Sequence, residues 1–300
     1  MKKVIVVVGP TAVGKSDFAI ELAKRLDGEI ISGDSIQVYQ GLDIGSGKVT
    51  KQEMAEVKHH LIDIYTTDMK YSVADFQIKA REIIDHSDKP MIICGGTGLY
   101  IKACLYDYVF SDQDGAGIDT SLEKYTNEEL YAQLLEIDPK QAEKIHPNNR
   151  QRMLRTLTIA SRNSIVQSEV IASQDHQMIY DACIVGCTME RSALYKRINA
   201  RVEKMFENGL QHEVEQLLGK GVHFDDACMK GIGYREWKSF FDGEQTVQQV
   251  KEEIQKHSRQ FAKRQYTWFN HQMDVEWFEN QNPLEREQML EKLVTWYQGN

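Results

Sequence analysis

At 300 residues the chain can bury one large core or two modest ones, and 41% hydrophobic with 27% charged residues is the balance of a soluble globular protein. No apolar run reaches the roughly eighteen residues of a membrane span, so no membrane partner is expected. The net charge of −9 excludes indiscriminate nucleic-acid binding, and five scattered cysteines without C-x-x-C pairs point to reduced thiols in the cytoplasm, not to a zinc site.

Val4, Ile5, Val6, Val7 and Val8 predict a buried strand over residues 3–8, too short for a signal peptide, and GPTAVGKS follows it directly. This is G-x-x-x-x-G-K-[ST], the phosphate-binding P-loop, with the strand before it and the helix-forming run after it that the motif needs. Gly9 and Gly14 let the backbone wrap, and Pro10, Thr11, Ala12 and Val13 form the cradle between them. Lys15 reaches the terminal phosphates, and the Ser16 hydroxyl is placed to ligate Mg²⁺. A di- or triphosphate is expected here, favoured further by the positive end of the following helix.

A helix over residues 16–26 and a strand over 29–32 come next. A long loop over 34–50, a polar helical segment near 51–57 and a short strand over 60–64 follow. Ser72 is the expected N-cap of a helix over 73–86, and a strand follows at 91–94. Alternation of this kind predicts an α/β fold, a P-loop parallel sheet flanked by helices, with ligands at the carboxyl ends of the strands. The P-loop, Asp34 and Thr97 all fall at such ends. An ordinary P-loop NTPase carries a second acid at the end of a neighbouring strand. Here the 91–94 strand runs into Gly95, Gly96, Thr97 and Gly98, while an acid, Asp34, ends a different strand. A phosphate cradle without the usual hydrolytic partner points to a phosphate handle on a substrate. Asp34 there can coordinate Mg²⁺ or take a proton from a nucleophile; capping a short turn is the bland alternative. The Gly95–Gly98 turn allows close backbone approach, and Thr97 offers a hydroxyl.

Around residues 111–121 the pattern breaks into a Gly/Asp/Ser loop, and from there to about 177 only helical signals appear, over 127–136, 139–145 and 149–161. An apolar strand at 182–185 then returns. These signals predict an all-helical insertion domain, residues 113–180, within a core domain made of 1–112 and 181–300. Helices over 192–208 and 211–218 follow, then a long helix opened by Thr246 with Gln249 completing a capping box and ending near 269. An edge strand over 273–278 and a last helix begun by Pro283 complete the chain. Residues 140–162 hold six Lys/Arg against one acid, and Lys256, Arg259, Lys263 and Arg264 form a second basic group. Arg197 and Arg201 share a helix face, which suits a diphosphate leaving group and, equally, salt bridges with Glu190 or Glu203. The His59-His60, Trp268-Phe269 and Trp277-Phe278 pairs read as structural.

With these residues in place, the chain resembles the bacterial tRNA dimethylallyltransferase (tRNA isopentenyltransferase) family. The likeness is carried by GPTAVGKS, GDSIQVYQGLDIGSGK, HHLIDI, YSVADF, GGTGLYIKA, NNRQRMLRTL, RINARVEKMFENGL, KGIGYRE and RQFAKRQYTWF, over nearly the whole length. The resemblance implies transfer of a dimethylallyl group from dimethylallyl diphosphate to N6 of adenine at position 37 of tRNA, releasing diphosphate. It implies that the P-loop and Mg²⁺ hold the pyrophosphate and that Arg197 or Arg201 assists. Asp34 would accept the N6 proton, with Lys15 and Thr97 at the reacting centre and Ser35, Ile36 and Gln37 beside the flipped base. Gln151, Arg152, Met153, Leu154 and Arg155 would meet the anticodon stem-loop. So would Lys230, Gly231, Ile232, Gly233, Tyr234 and Arg235, together with the stretch 263–270 that begins with Lys263 and Arg264. A cytoplasmic monomer is expected. The chain departs from the family at Gly45-Ser46-Gly47-Lys48-Val49, where a Thr and a Pro are common, and in a short insertion. Two rival readings are a P-loop small-molecule kinase using ATP and an isopentenyltransferase acting on free adenine nucleotides; neither has a use for the basic runs.

Overall fold

Five consecutive aliphatic side chains, Val4 to Val8, have no solvent exposure, because strand β1 (Lys3–Val8) lies inside a sheet covered on both faces. The computed structural model describes residues 1–110, 117–162, 166–173 and 176–299. Among them the other strands are β2 (Glu29–Ser32), β3 (His59–His60), β4 (Met91–Cys94), β5 (Asp181–Thr188) and β6 (Glu276–Glu279). All pair in parallel in the order β3-β2-β4-β1-β5-β6. The register sets Val7 against Cys94 on one side and Val185 on the other, so the chains leave these strands at one edge of the sheet.

The helices are α1 (Lys15–Leu26), α2 (Lys51–Glu56), α3 (Val73–His86), α4 (Gly98–Leu105), α5 (Asn127–Ile137), α6 (Pro139–Ala142), α7 (Arg150–Arg162), α8 (Gln167–Ala172), α9 (Arg191–Glu207), α10 (Leu210–Gly219), α11 (Lys238–Phe241), α12 (Val247–Gln272) and α13 (Pro283–Gln298). The expected caps at Ser72 and Thr246 both form reciprocal capping boxes, with Asp75 and Gln249. Ile5 and Val7 of β1 pack with Phe18 and Leu22 of α1, Leu194 and Ile198 of α9 and Leu290 and Leu293 of α13. Each such aliphatic side chain contributes about 1.5–3 kcal/mol of burial. No helix among the described residues is long and apolar enough to cross a membrane.

The chain divides into two compact units, residues 1–105 with 178–300, and residues 106–177. The boundary expected at 112/113 lies outside the described residues. The second unit is helical, with its own core of Leu130, Leu134, Ile145, Met153, Leu154 and Leu157. One element is misplaced by sequence pattern. The strand expected at 60–64 is His59–His60 instead, because Leu61 and Asp63 take left-handed backbone (φ 61° and 54°) and turn the chain out of the sheet.

Candidate active site

The loop expected to be a P-loop, residues 9–16, leaves β1 through Gly9 at φ 141°, where an added Cβ would lie 2.5 Å from the Cys187 carbonyl oxygen of β5, so a side chain cannot be accommodated. Gly14, at φ 92°, is the N-cap of α1, and Ala12 between them also takes a left-handed conformation (φ 65°). Lys15 donates from Nζ to the Pro10 carbonyl at 2.6 Å, which holds the ammonium across the loop. Burial lowers its pKa below the ordinary lysine value; the Cys94 and Cys187 sulfurs and the Asp34 carboxylate pull it up, and Arg201 pushes it down. Ser16 is exposed at the first turn of α1.

Two side chains from far along the sequence brace this loop. Gln265 of α12, itself buried, accepts from the Thr11 N–H at 2.9 Å and donates to the Gly96 carbonyl at 3.0 Å. One amide thereby ties the two glycine turns together, and an amide alone offers a donor and an acceptor at that reach. Asn280 donates to the carbonyls of Val13 and Gly14 at 3.0 and 3.2 Å.

Asp34 and Thr97 approach because β2 and β4 converge: a Cβ on Gly95 would lie 2.3 Å from the Gly33 oxygen, and the Thr97 N–H donates to that oxygen at 3.3 Å. Asp34 does cap a turn, its Oδ1 accepting from the N–H groups of Ile36 and Gln37 at 2.8 and 3.2 Å. Among the described residues no hydrogen bond reaches its Oδ2. Thr11, Ala12, Asp34, Thr97 and Arg201 border one cavity of about 420 Å³, the volume of a small-molecule site. Ser35, Ile36, Lys230, Gly231, Ile232, Arg235 and Arg264 also border it. Gln37 does not; it is held by Ser32, whose hydroxyl it accepts at 3.2 Å, and by the Gly47 carbonyl, to which it donates at 3.3 Å.

Arg201 and Arg197 both come to the P-loop. Arg201 donates to Thr11 Oγ1 and to the Gly47 carbonyl, each at 3.4 Å; burial lowers its pKa while Asp34 opposes the shift. A Cβ on Gly14 would lie 3.9 Å from the Arg197 guanidinium, which places Arg197 at the start of α1. Among the described residues neither arginine pairs with Glu190 or Glu203. Glu190 accepts from the Ala193 N–H at the start of α9, and Glu203 pairs with Lys251 at 2.7 Å.

The loop after β2 is fixed by Glu213 of α10, whose carboxylate accepts the N–H groups of Asp43, Ile44 and Gly45 at 3.0, 2.7 and 3.1 Å. Tyr234 donates to the same carboxylate at 2.8 Å and accepts from the Ser46 N–H at 3.1 Å. Tyr234 is therefore a buried anchor of that loop, with no exposed surface for RNA, and Gly233 beside it is buried too. The same correction applies on α7. Met153 and Leu154 are buried in the core of the helical unit, whereas Gln151, Arg152 and Arg155 are exposed, as helical periodicity requires of adjacent residues on opposite faces. Lys263 and Arg264 are exposed on α12. Sequence reading missed Asn280 and Glu213 as site-shaping residues; Gln265 lay in the stretch 263–270 expected to meet tRNA, and its side chain instead braces the two glycine turns. Among the described residues no group of three or more His, Cys, Asp or Glu is arranged to hold a metal ion.

Comparison with known proteins matches residues 37–272 to the IPP transferase family. The chain is 44% identical over 302 residues to a protein of Anoxybacillus flavithermus named tRNA dimethylallyltransferase, covering 99% of this chain and 97% of that one. It superposes on the crystal structure of a tRNA delta(2)-isopentenylpyrophosphate transferase from Staphylococcus epidermidis with a TM-score of 0.72, at 39% identity, over 99% and 98% of the two chains. A eukaryotic dimethylallyltransferase acting on tRNA is similar in structure at a TM-score of 0.81 and 26% identity, over 96% of this chain and 78% of that one.

Proposed function

Since the chain belongs to the IPP transferase family, we propose that it transfers a dimethylallyl group from dimethylallyl diphosphate to N6 of adenine at position 37 of tRNA, next to the anticodon, and releases diphosphate. The observation that carries this reading is the shared cavity. P-loop residues Thr11 and Ala12 and the Arg201 guanidinium border the same space as Asp34 and Thr97. A grip for a leaving diphosphate and a carboxylate for the nucleophile's proton are what such a transfer needs side by side.

Adenine N6 is a weak nucleophile because its lone pair is delocalised into the ring. Most of the barrier must therefore be lowered at the leaving group. Lys15, Arg197 and Arg201 stabilise the charge that collects on the diphosphate oxygen as the allylic C–O bond breaks and its electron pair departs. N6 forms the new C–N bond, and Asp34 takes the N6 proton on Oδ2, the oxygen not engaged in the turn. Thr97, on the same cavity, lies where a hydroxyl can orient the base. The adenine must first leave the anticodon stack, at a cost of about a few kcal/mol. Exposed Arg152, Lys263 and Arg264 supply phosphate contacts to offset it. The exposed Ser16 hydroxyl offers Mg²⁺ an oxygen ligand and would hold it together with the diphosphate's own oxygens. When bound it adds positive charge to the leaving group.

Incubation with labelled dimethylallyl diphosphate and either bulk tRNA or AMP tests the reading. Label in the RNA is expected. Label in AMP alone would make the protein a free-nucleotide transferase; label in neither, with ATP consumed in a parallel incubation with a small alcohol, would make it a kinase.

A further inference from the structure

We infer that Asn280 is a positioning residue for the transfer, its amide turning the Gly14 and Lys15 N–H groups toward the leaving diphosphate; this rests on the transferase reading above. Asn280 stands just beyond β6 and is 6% exposed, and its own N–H donates to the Thr188 carbonyl at the end of β5 at 3.1 Å. Its side chain meets the loop through one group. Nδ2 donates to two consecutive carbonyls, Val13 at 3.0 Å and Gly14 at 3.2 Å. A Cβ on Gly14 would lie 2.8 Å from that nitrogen, so the approach needs glycine there. Oδ1 is buried and meets no hydrogen-bond partner among the described residues. Exchanging the two amide atoms would set an oxygen against two carbonyl oxygens, so the position uses the donor.

A planar trans peptide points its N–H away from its C=O. The Val13 carbonyl shares a peptide with the Gly14 N–H, and the Gly14 carbonyl shares one with the Lys15 N–H. Holding both carbonyls on Asn280 therefore turns both N–H groups to the opposite side of the loop. Among the described residues neither N–H meets an acceptor. Consecutive unpaired amides at the start of a twelve-residue helix make a concavity that suits an anion. Thr11 is treated in the reverse way. Gln265 Oε1 takes its N–H at 2.9 Å, while the Pro10 carbonyl of the same peptide accepts from Lys15 Nζ at 2.6 Å. One buried side-chain amide withdraws an N–H from the cradle, and the other supplies two. An apolar side chain of the same size would fill the space of Asn280 without an unpaired oxygen, but it would release both carbonyls.

Asn280→Leu keeps the size and removes the donor. The expected result is a Kd for inorganic diphosphate raised roughly tenfold by calorimetry, a KM for dimethylallyl diphosphate raised by the same factor, and an unchanged KM for tRNA. The amide resonances of Gly14 and Lys15, read by NMR in the full isotope-labelled chain, report the orientation itself. Both should move downfield when inorganic diphosphate saturates the wild-type protein, and they should move less in Asn280→Leu at its own saturation. A wild-type Kd in the variant, including one accompanied by a lower Tm, makes Asn280 a brace alone and overturns the inference. The wild-type titration decides by itself if the variant folds poorly: diphosphate bound with both resonances unmoved also overturns it. Either result leaves the transferase reading standing. Wild-type protein that binds no diphosphate and prenylates no RNA takes both down.

Discussion

Helix α7 of the helical unit and helix α12 of the sheet unit carry basic runs that look alike in sequence, and their surroundings differ. On α7, Arg150 is tied to Tyr125, Asn127 and Glu123 of its own unit, Arg152 is exposed, and the inward face builds the local core. On α12, exposed Lys263 and Arg264 adjoin buried Gln265, whose amide joins the P-loop to the Gly96 turn. Trp268, one turn on, fills the space a side chain on Gly98 would need, 2.1 Å from such a Cβ. A basic patch thus reports only a surface; whether that surface is mechanically part of the site depends on the opposite face of the helix.

The comparison breaks most visibly at Gln265. Gln265→Glu removes the donor to Gly96 and buries a carboxylate against its oxygen. Diphosphate affinity should fall roughly ten- to a hundredfold by calorimetry, with Gln265→Met, which is isosteric and uncharged, losing less. Met153→Ala on α7 should cost about 2–5 kcal/mol in a denaturant melt of the helical unit while diphosphate Kd stays at the wild-type value. If diphosphate binding weakens as well, the two units are less independent than their separate cores indicate. Arg152→Ala and Lys263→Ala should each weaken tRNA binding severalfold and reduce the slope of log K against log salt by about one. A salt slope unchanged in both variants would remove these helices from the RNA surface.

Much of the fold was legible because it is local. The strand–loop–helix of residues 3–26, the capping boxes at Ser72 and Thr246 and the break into helices after residue 121 are all set by neighbouring residues. The strand at His59–His60 was misjudged because the left-handed turns at Leu61 and Asp63 leave no hydropathy signal. In the candidate site, motif blocks overstated the functional surface: Met153, Leu154 and Tyr234 sit within them yet face inward. The braces were invisible for another reason. Gln265 lies 254 residues from Thr11, and Asn280 lies 267 from Val13, and both bond to backbone, which has no sequence signature at that distance.

Asp34→Asn is the most direct test of the proton-acceptor role, because an asparagine oxygen can still cap Ile36 and Gln37 while the negative charge is gone. Single-turnover transfer from labelled dimethylallyl diphosphate to tRNA should slow by about a hundredfold or more, with diphosphate Kd unchanged. Wild-type transfer rates in that variant would contradict the assignment.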